Sequence, residues 1–242
     1  MGSMVIKCML SFSTTHTSPL TRKLEDHASL MEASYRDSQL HWLTALGAVH
    51  DAVDAALLGD AAVAADRAAE GQRELRSCND DLTALGRGLV ELRSDLFERG
   101  GVDAAEPLLA REPFFATLDY DGLYRELAGA GAVLPHRAFW DEAASRVRDG
   151  GARGGCRLLE RHLRELQSDL HAFIADVDAA SRLPLRAMAE ALHGASLAVS
   201  RVMTGYTRLI TTFGYVSFFC ERALQAYERS HGQPSTAELA AS

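Results

Sequence analysis

From Leu185 to Tyr227 the apolar residues fall three and four apart without a break. They are Leu185, Met188, Leu192, Ala195, Val199, Val202, Tyr206, Leu209, Phe213, Val216, Cys220, Ala223 and Tyr227. Over these six heptads no charged side chain enters the stripe. An apolar face of that length cannot be hidden by one helix alone, so it predicts a long helix packed against other helices. Its densest part, Leu209-Ile-Thr-Thr-Phe-Gly-Tyr-Val-Ser-Phe-Phe-Cys220, holds twelve residues between Arg208 and Glu221, four of them aromatic. A transmembrane helix needs about 20 consecutive apolar residues. The run is too short for a constitutive span, and its apolar positions stay in phase with the longer stripe.

Three other segments pass the same test. Leu75, Cys78, Leu82, Leu85, Leu89, Leu92 and Leu96 form one stripe, and Cys156, Leu159, Leu163, Leu166, Leu170, Phe173 and Val177 form another. The last runs through Leu24, Ala28, Met31, Tyr35, Trp42, Leu46, Val49, Val53 and Leu57, with Ser38 in its path. Four long helices are therefore expected, over 20–58, 61–99, 136–181 and 183–231. Leu58-Gly59-Asp60 supplies a glycine stop and an aspartate N-cap. Ser181 is the expected N-cap of the fourth helix, with Pro184 in its first turn.

Both turns are short and predict antiparallel neighbours. The middle connection, about 100–135, holds Pro107, Pro113 and Pro135, and its 119–127 portion predicts one short helix. The expected fold is all-α: an elongated antiparallel four-helix bundle of two long hairpins, joined by a structured crossover that carries a short helix. One helical-bundle domain is expected over 18–231, with disordered ends at 1–17 and 232–242. Asp149-Gly-Gly-Ala-Arg-Gly-Gly155 predicts a break or loop in the third helix, because a helical glycine costs about 1 kcal/mol.

The net charge of −8, with arginines interleaved among Glu and Asp, argues against a nucleic-acid partner. Lys7 and Lys23 are the only lysines, a bias shared with GC-rich coding sequences. Cys8, Cys78, Cys156 and Cys220 match no metal or disulfide spacing, and three of them sit on apolar stripes. That usage, and an N-terminal run too short for a secretory signal, predict a cytoplasmic protein.

Few constellations suggest chemistry. Glu-x-x-His, the helix signature of di-iron bundles, occurs as Glu190–His193 and Glu228–His231. Both copies belong to the same expected helix, and Glu190 lies about 200° from Met188 and from Leu192, hence toward solvent. His162 is expected to be half covered at a helix edge, near Glu165 or Asp169. No Gly-x-Ser-x-Gly elbow and no Gly-x-Gly-x-x-Gly loop is present. No catalytic set, metal or cofactor is expected.

Aromatic placement says more. Of the 17 aromatics, seven fall between Phe97 and Trp140 and six between Tyr206 and Tyr227. Phe114, Phe115, Tyr120, Tyr124, Phe139 and Trp140 are expected to plug one end of the bundle or to form a groove for a partner peptide or small apolar ligand. Ile210, Phe218 and Phe219, beside Met203, widen the last helix's apolar face beyond one seam. The expectation is a non-enzymatic interaction protein (adaptor, scaffold or regulatory subunit) with a protein partner or self-association. Two alternatives remain. One is a membrane-acting bundle, similar in architecture to soluble α-helical pore-forming toxins, using Leu127–Leu134 and Leu209–Cys220. The other is an enzyme or small-molecule binder with a pocket at the aromatic end.

Overall fold

The computed structural model describes residues 19–99, 137–195 and 197–213. Helix α1 spans Pro19–Leu57 and α2 spans Ala61–Arg93, continued by one π-helical stretch, Ser94–Arg99. Helix α3 spans Arg137–Ala180 and α4 spans Leu185–Gly194, after which residues 197–213 form a further helix, α5. No strand occurs among the described residues. The expected crossover, the two chain ends and positions 214–231 of the last stripe lie outside them.

The α1–α2 turn follows from its sequence. Gly59 has φ +79°, where a side chain is strained. Asp60 N–H reaches Ala55 C=O at 2.9 Å and Gly59 N–H reaches Ala56 C=O at 3.2 Å, the bond pair of a Schellman stop. Asp60 then caps α2, its Oδ1 accepting from Val63 N–H at 3.1 Å.

The second turn departs from expectation. Ser181 Oγ donates to Asp178 C=O at 2.9 Å, and so closes α3 where it was expected to open α4. The N-cap of α4 is Pro184, which has no side-chain cap bond. A second departure lies just beyond. The expected continuous fourth helix is interrupted at Ala195, whose N–H bonds Leu192 C=O in an i−3 pattern at 3.2 Å. Gly194, a poor helix former, ends α4. Helical bonding resumes at once, since Val199 N–H reaches Ala195 C=O at 3.2 Å. Most of the stripe keeps its phase: Met188, Leu192, Ala195, Val202, Tyr206 and Leu209 are buried, while Leu185 and Val199 are half-buried. At its described end it does not, because Thr211 and Thr212 are buried while Phe213 is half-buried.

The chain divides into two compact units. One comprises Ser29–Leu89 and Glu160–Leu209. In it Met31 of α1 meets Gly88 of α2 and Val49 meets Gly71, so contacts climb α1 as they descend α2. The same holds for α3 and α5, where Glu165 pairs with Arg208, Leu166 meets Gly205 and Asp169 pairs with Arg201. Trp42 of α1 packs edge-on against Phe173 of α3, and Tyr35 against Tyr206 of α5, with centroids 5.4 and 5.9 Å apart. The α2 and α3 stripes within this unit are buried at every expected position from Leu75 to Leu89 and from Leu163 to Val177.

The later half of α1 is the exception. Leu46 and Val53 are half-buried and Leu57 is exposed, while Ala45, Ala48, Ala52, Ala55 and Ala56 face inward. They pack in a region where α2 offers Ala64, Ala68 and Gly71. Small residues on both helices permit close approach of the two backbones, and the larger Leu46, Val53 and Leu57 are less buried than the alanines.

The other unit comprises Met1–Ala28, Val90–Leu159 and Ile210–Ser242, of which the described residues form part. Here α3 runs unbroken through Gly150–Gly155, correcting the expected break. Local packing outweighs propensity: Gly155 and Cys156 are buried, and Arg153 lies over the Phe97 ring at 5.2 Å. In the π-helical stretch, which adds one residue to the turn, Asp95 and Phe97 are both buried. A carboxylate thus enters the inner face, which the stripe through Leu96 did not foretell.

Candidate interaction surface

In the first unit the polar groups of the interior are tied to one another. Tyr206 Oη and Cys78 Sγ are 3.1 Å apart, and the same hydroxyl is hydrogen-bonded with Ser38. Ser38 Oγ donates to Tyr35 C=O at 2.7 Å, and Gln39 Nε2 donates to Tyr35 Oη at 2.9 Å. Burial raises the proton affinity of both tyrosines, with Gln39 opposing the rise at Tyr35 and Ser38 opposing it at Tyr206. Burial pushes the Cys78 thiol up to about 11, with Tyr206 opposing and Asp81 adding to the rise. A thiol in that state is no nucleophile at neutral pH. The network joins α1, α2 and α5 and leaves the hydroxyls few alternative partners, so it discriminates against slipped packings.

Two histidines of α1 sit between carboxylates of α2, one in each unit. His41 Nδ1 is 2.6 Å from Glu74 Oε2 and its Nε2 is 3.7 Å from Asp81 Oδ2. Asp81 holds its proton more tightly than a solvated aspartate, chiefly through burial, with Asp37 and Asp80 adding and His41 opposing. His27 Nε2 is 2.9 Å from Asp95 Oδ2, and its Nδ1 is 3.8 Å from Glu91 Oε2. Carboxylates orient an imidazole but supply nothing for it to activate. His162, expected half covered, is instead buried, at 4% exposure. Glu190 and His193 face solvent, Glu190 beside Arg186 at 3.3 Å, while Glu228 and His231 lie outside the described residues. Among the described residues no group of three or more His, Cys, Asp and Glu is placed to hold a metal ion.

The outer surface is less ordinary. Trp42 is buried, and its Nε1–H donates to Met203 Sδ at 3.1 Å, which makes α1 and α5 neighbours there. On these two helices Leu40 and Leu43 of α1 and Leu197 and Met203 of α5 are 62, 59, 68 and 45% exposed. His41 faces α2, and Leu43, about 200° further round the helix, therefore flanks α5. From Ser38 to Val49, α1 carries no Asp, Glu, Lys or Arg, and neither does α5 from Val202 to Thr207. A separate apolar group, Leu57, Leu58 and Val63, is exposed at the α1–α2 turn.

Of the residues expected to bind a partner, Ile210 is half-buried on α5, and Phe139 and Trp140 belong to the first turn of α3. Phe114, Phe115, Tyr120, Tyr124, Phe218 and Phe219 lie outside the described residues. Leu40 and Leu43 were not among the expected residues, because they fall off the α1 stripe. The signal for them was a twelve-residue stretch of surface helix without formal charge. No described helix is long and apolar enough to cross a membrane. Comparison with protein-family models, with curated proteins and with solved structures finds no match to this chain.

Proposed function

We propose that the chain is an elongated antiparallel four-helix bundle, built of two hairpins joined by a crossover, that acts as a non-enzymatic interaction protein. It would serve as an adaptor, scaffold or regulatory subunit through its helical surface. The observation that carries this reading is a pair of charge-free stretches, Ser38–Val49 of α1 and Val202–Thr207 of α5, which touch through Trp42 and Met203 and leave Leu40, Leu43 and Met203 exposed. Contiguous apolar patches larger than a few hundred Å² are uncommon on monomeric proteins and mark interaction sites. The interior supports the same reading: its thiol is protonated and its imidazoles are held by carboxylates.

The test is made on the purified full chain, by measuring bound metal, bound chromophore and dye release from anionic and neutral vesicles in one preparation. The expected result is no stoichiometric metal or chromophore and no release. A metal or chromophore at one per chain would overturn the reading in favour of an enzyme or binder. Dye release at micromolar protein would overturn it in favour of a membrane-acting bundle.

A further inference from the structure

Met203 is the one methionine among the described residues that is both open to water and engaged in a polar contact. It is 45% exposed, whereas Met31 and Met188 are buried at 1 and 3%. Its sulfur accepts the Trp42 indole N–H at 3.1 Å, and Trp42 itself is 1% exposed. A buried N–H needs an acceptor, and leaving it without one costs the desolvation of the donor. A surface methionine ordinarily has no such duty. Thioether sulfur is also a weak acceptor, so this tie between α1 and α5 rests on one of the poorer groups able to make it.

Thioethers differ from most acceptors in being oxidisable, and exposure governs which of them reacts. The sulfur attacks one oxygen of a hydroperoxide: the O–O bond breaks, an S–O bond forms, and the other oxygen leaves as water or an alcohol, carrying the proton of the transferred hydroxyl. Sulfur is oxidised by two electrons and the peroxide is reduced by two. One sulfur lone pair faces the indole N–H, and the second is left for the attack. We propose that Met203 is an oxidation site whose sulfoxide oxygen takes over the Trp42 N–H. With an N···O distance of about 2.9 Å, a bent S–O···H–N arrangement needs the sulfur to draw back by about 1 Å. An unbranched side chain with water beside it can make that movement. The change replaces a weak acceptor with a strong one. It tightens the α1–α5 contact and makes the exposed part of Met203 polar.

The experiment treats the full chain with hydrogen peroxide and follows two readouts. Mass mapping of proteolytic peptides is expected to show Met203 taking up one oxygen about 10-fold faster than Met31 and Met188. Isotopic nitrogen in the two tryptophans gives the second readout, the Trp42 indole N–H resonance, assigned with Trp140→Phe. That signal is expected to move downfield as the Met203 sulfoxide forms, and to exchange with solvent no faster than before. Met203→Gln places an amide oxygen at similar reach and is expected to show the downfield signal without peroxide. In Met203→Leu, with helical circular dichroism recorded on the same sample, the Trp42 signal is expected not to respond to peroxide. Met203 oxidising no faster than the two buried methionines would overturn the proposal. So would a Trp42 signal that moves upfield or stays in place on oxidation, or one that shifts equally in Met203→Leu.

Discussion

Gly205 and Gly194 show how one residue type can be required at one place and costly at another. A Cβ built at Gly205 would lie 2.9 Å from Leu166 Cδ1 and 3.2 Å from its Cβ, so the Leu166 side chain would have to shift against its packed neighbours. Gly205→Ala gains about 1 kcal/mol of helix propensity and loses about 1–3 kcal/mol to overpacking, for a net loss in urea denaturation. Nothing lies within 4 Å of the same atom at Gly194. Gly194→Ala is expected to stabilise by about 0.5–1 kcal/mol.

Asp81 gives a signed pH dependence. Its proton affinity is higher in the folded chain than in a solvated aspartate, because burial opposes the charge. The folded state therefore takes up the proton first on acidification. This favours folding below the ordinary carboxylate range, and the advantage is lost as pH rises through the elevated value. Asp81→Asn is expected to raise the urea midpoint at pH 7 and to flatten its slope from about pH 4 to 7.

At the level of elements, the α1–α2 turn is the point where single substitutions act most directly. Gly59→Ala forces a side chain into φ +79° and should cost about 1–2 kcal/mol. Asp60→Ala removes the bond to Val63 N–H and should cost about 1 kcal/mol. The two are neighbours in one motif, so the double variant is expected to lose less than the sum, as a double-mutant cycle in urea would measure. This turn was legible residue by residue, because glycine and aspartate each have one physical reason to be there.

The α2 and α3 stripes were legible for a related reason: leucine every three or four residues has one comfortable place to go. Alanine does not announce its side in the same way. It fits an inner or an outer face, and the inward turn of Ala45, Ala48, Ala52, Ala55 and Ala56 needed a small-residue partner on α2 to decide it. A stripe read from leucines gave no sign that Asp95, three residues after Leu92, would be buried and paired with His27. The glycines of 150–155 misled in the other direction, since propensity measures an isolated helix and α3 is a packed one. At the candidate surface, Ile210 and Met203 were visible as excess on a known stripe. Leu40 and Leu43 were not, because off-stripe leucines are common on any surface.

For the molecule as a whole, charge and surface point the same way. A chain of net charge −8 with its arginines paired to carboxylates lacks the basic footprint that draws phosphate backbones. It is expected not to retard a short DNA duplex in a gel at physiological salt, and to show no rise in affinity as salt is lowered.

Cys78 lies in one of the two compact units and Cys156 in the other, and both side chains are fully enclosed. With Cys8 and Cys220 replaced by serine, each unit would carry a single sulfur that a thiol reagent reaches only when its surroundings open. The chain therefore contains two internal clocks, started by the addition of reagent and read by mass after proteolysis. Their rates, followed against urea, would time the opening of each unit separately without a dye or label being built into either.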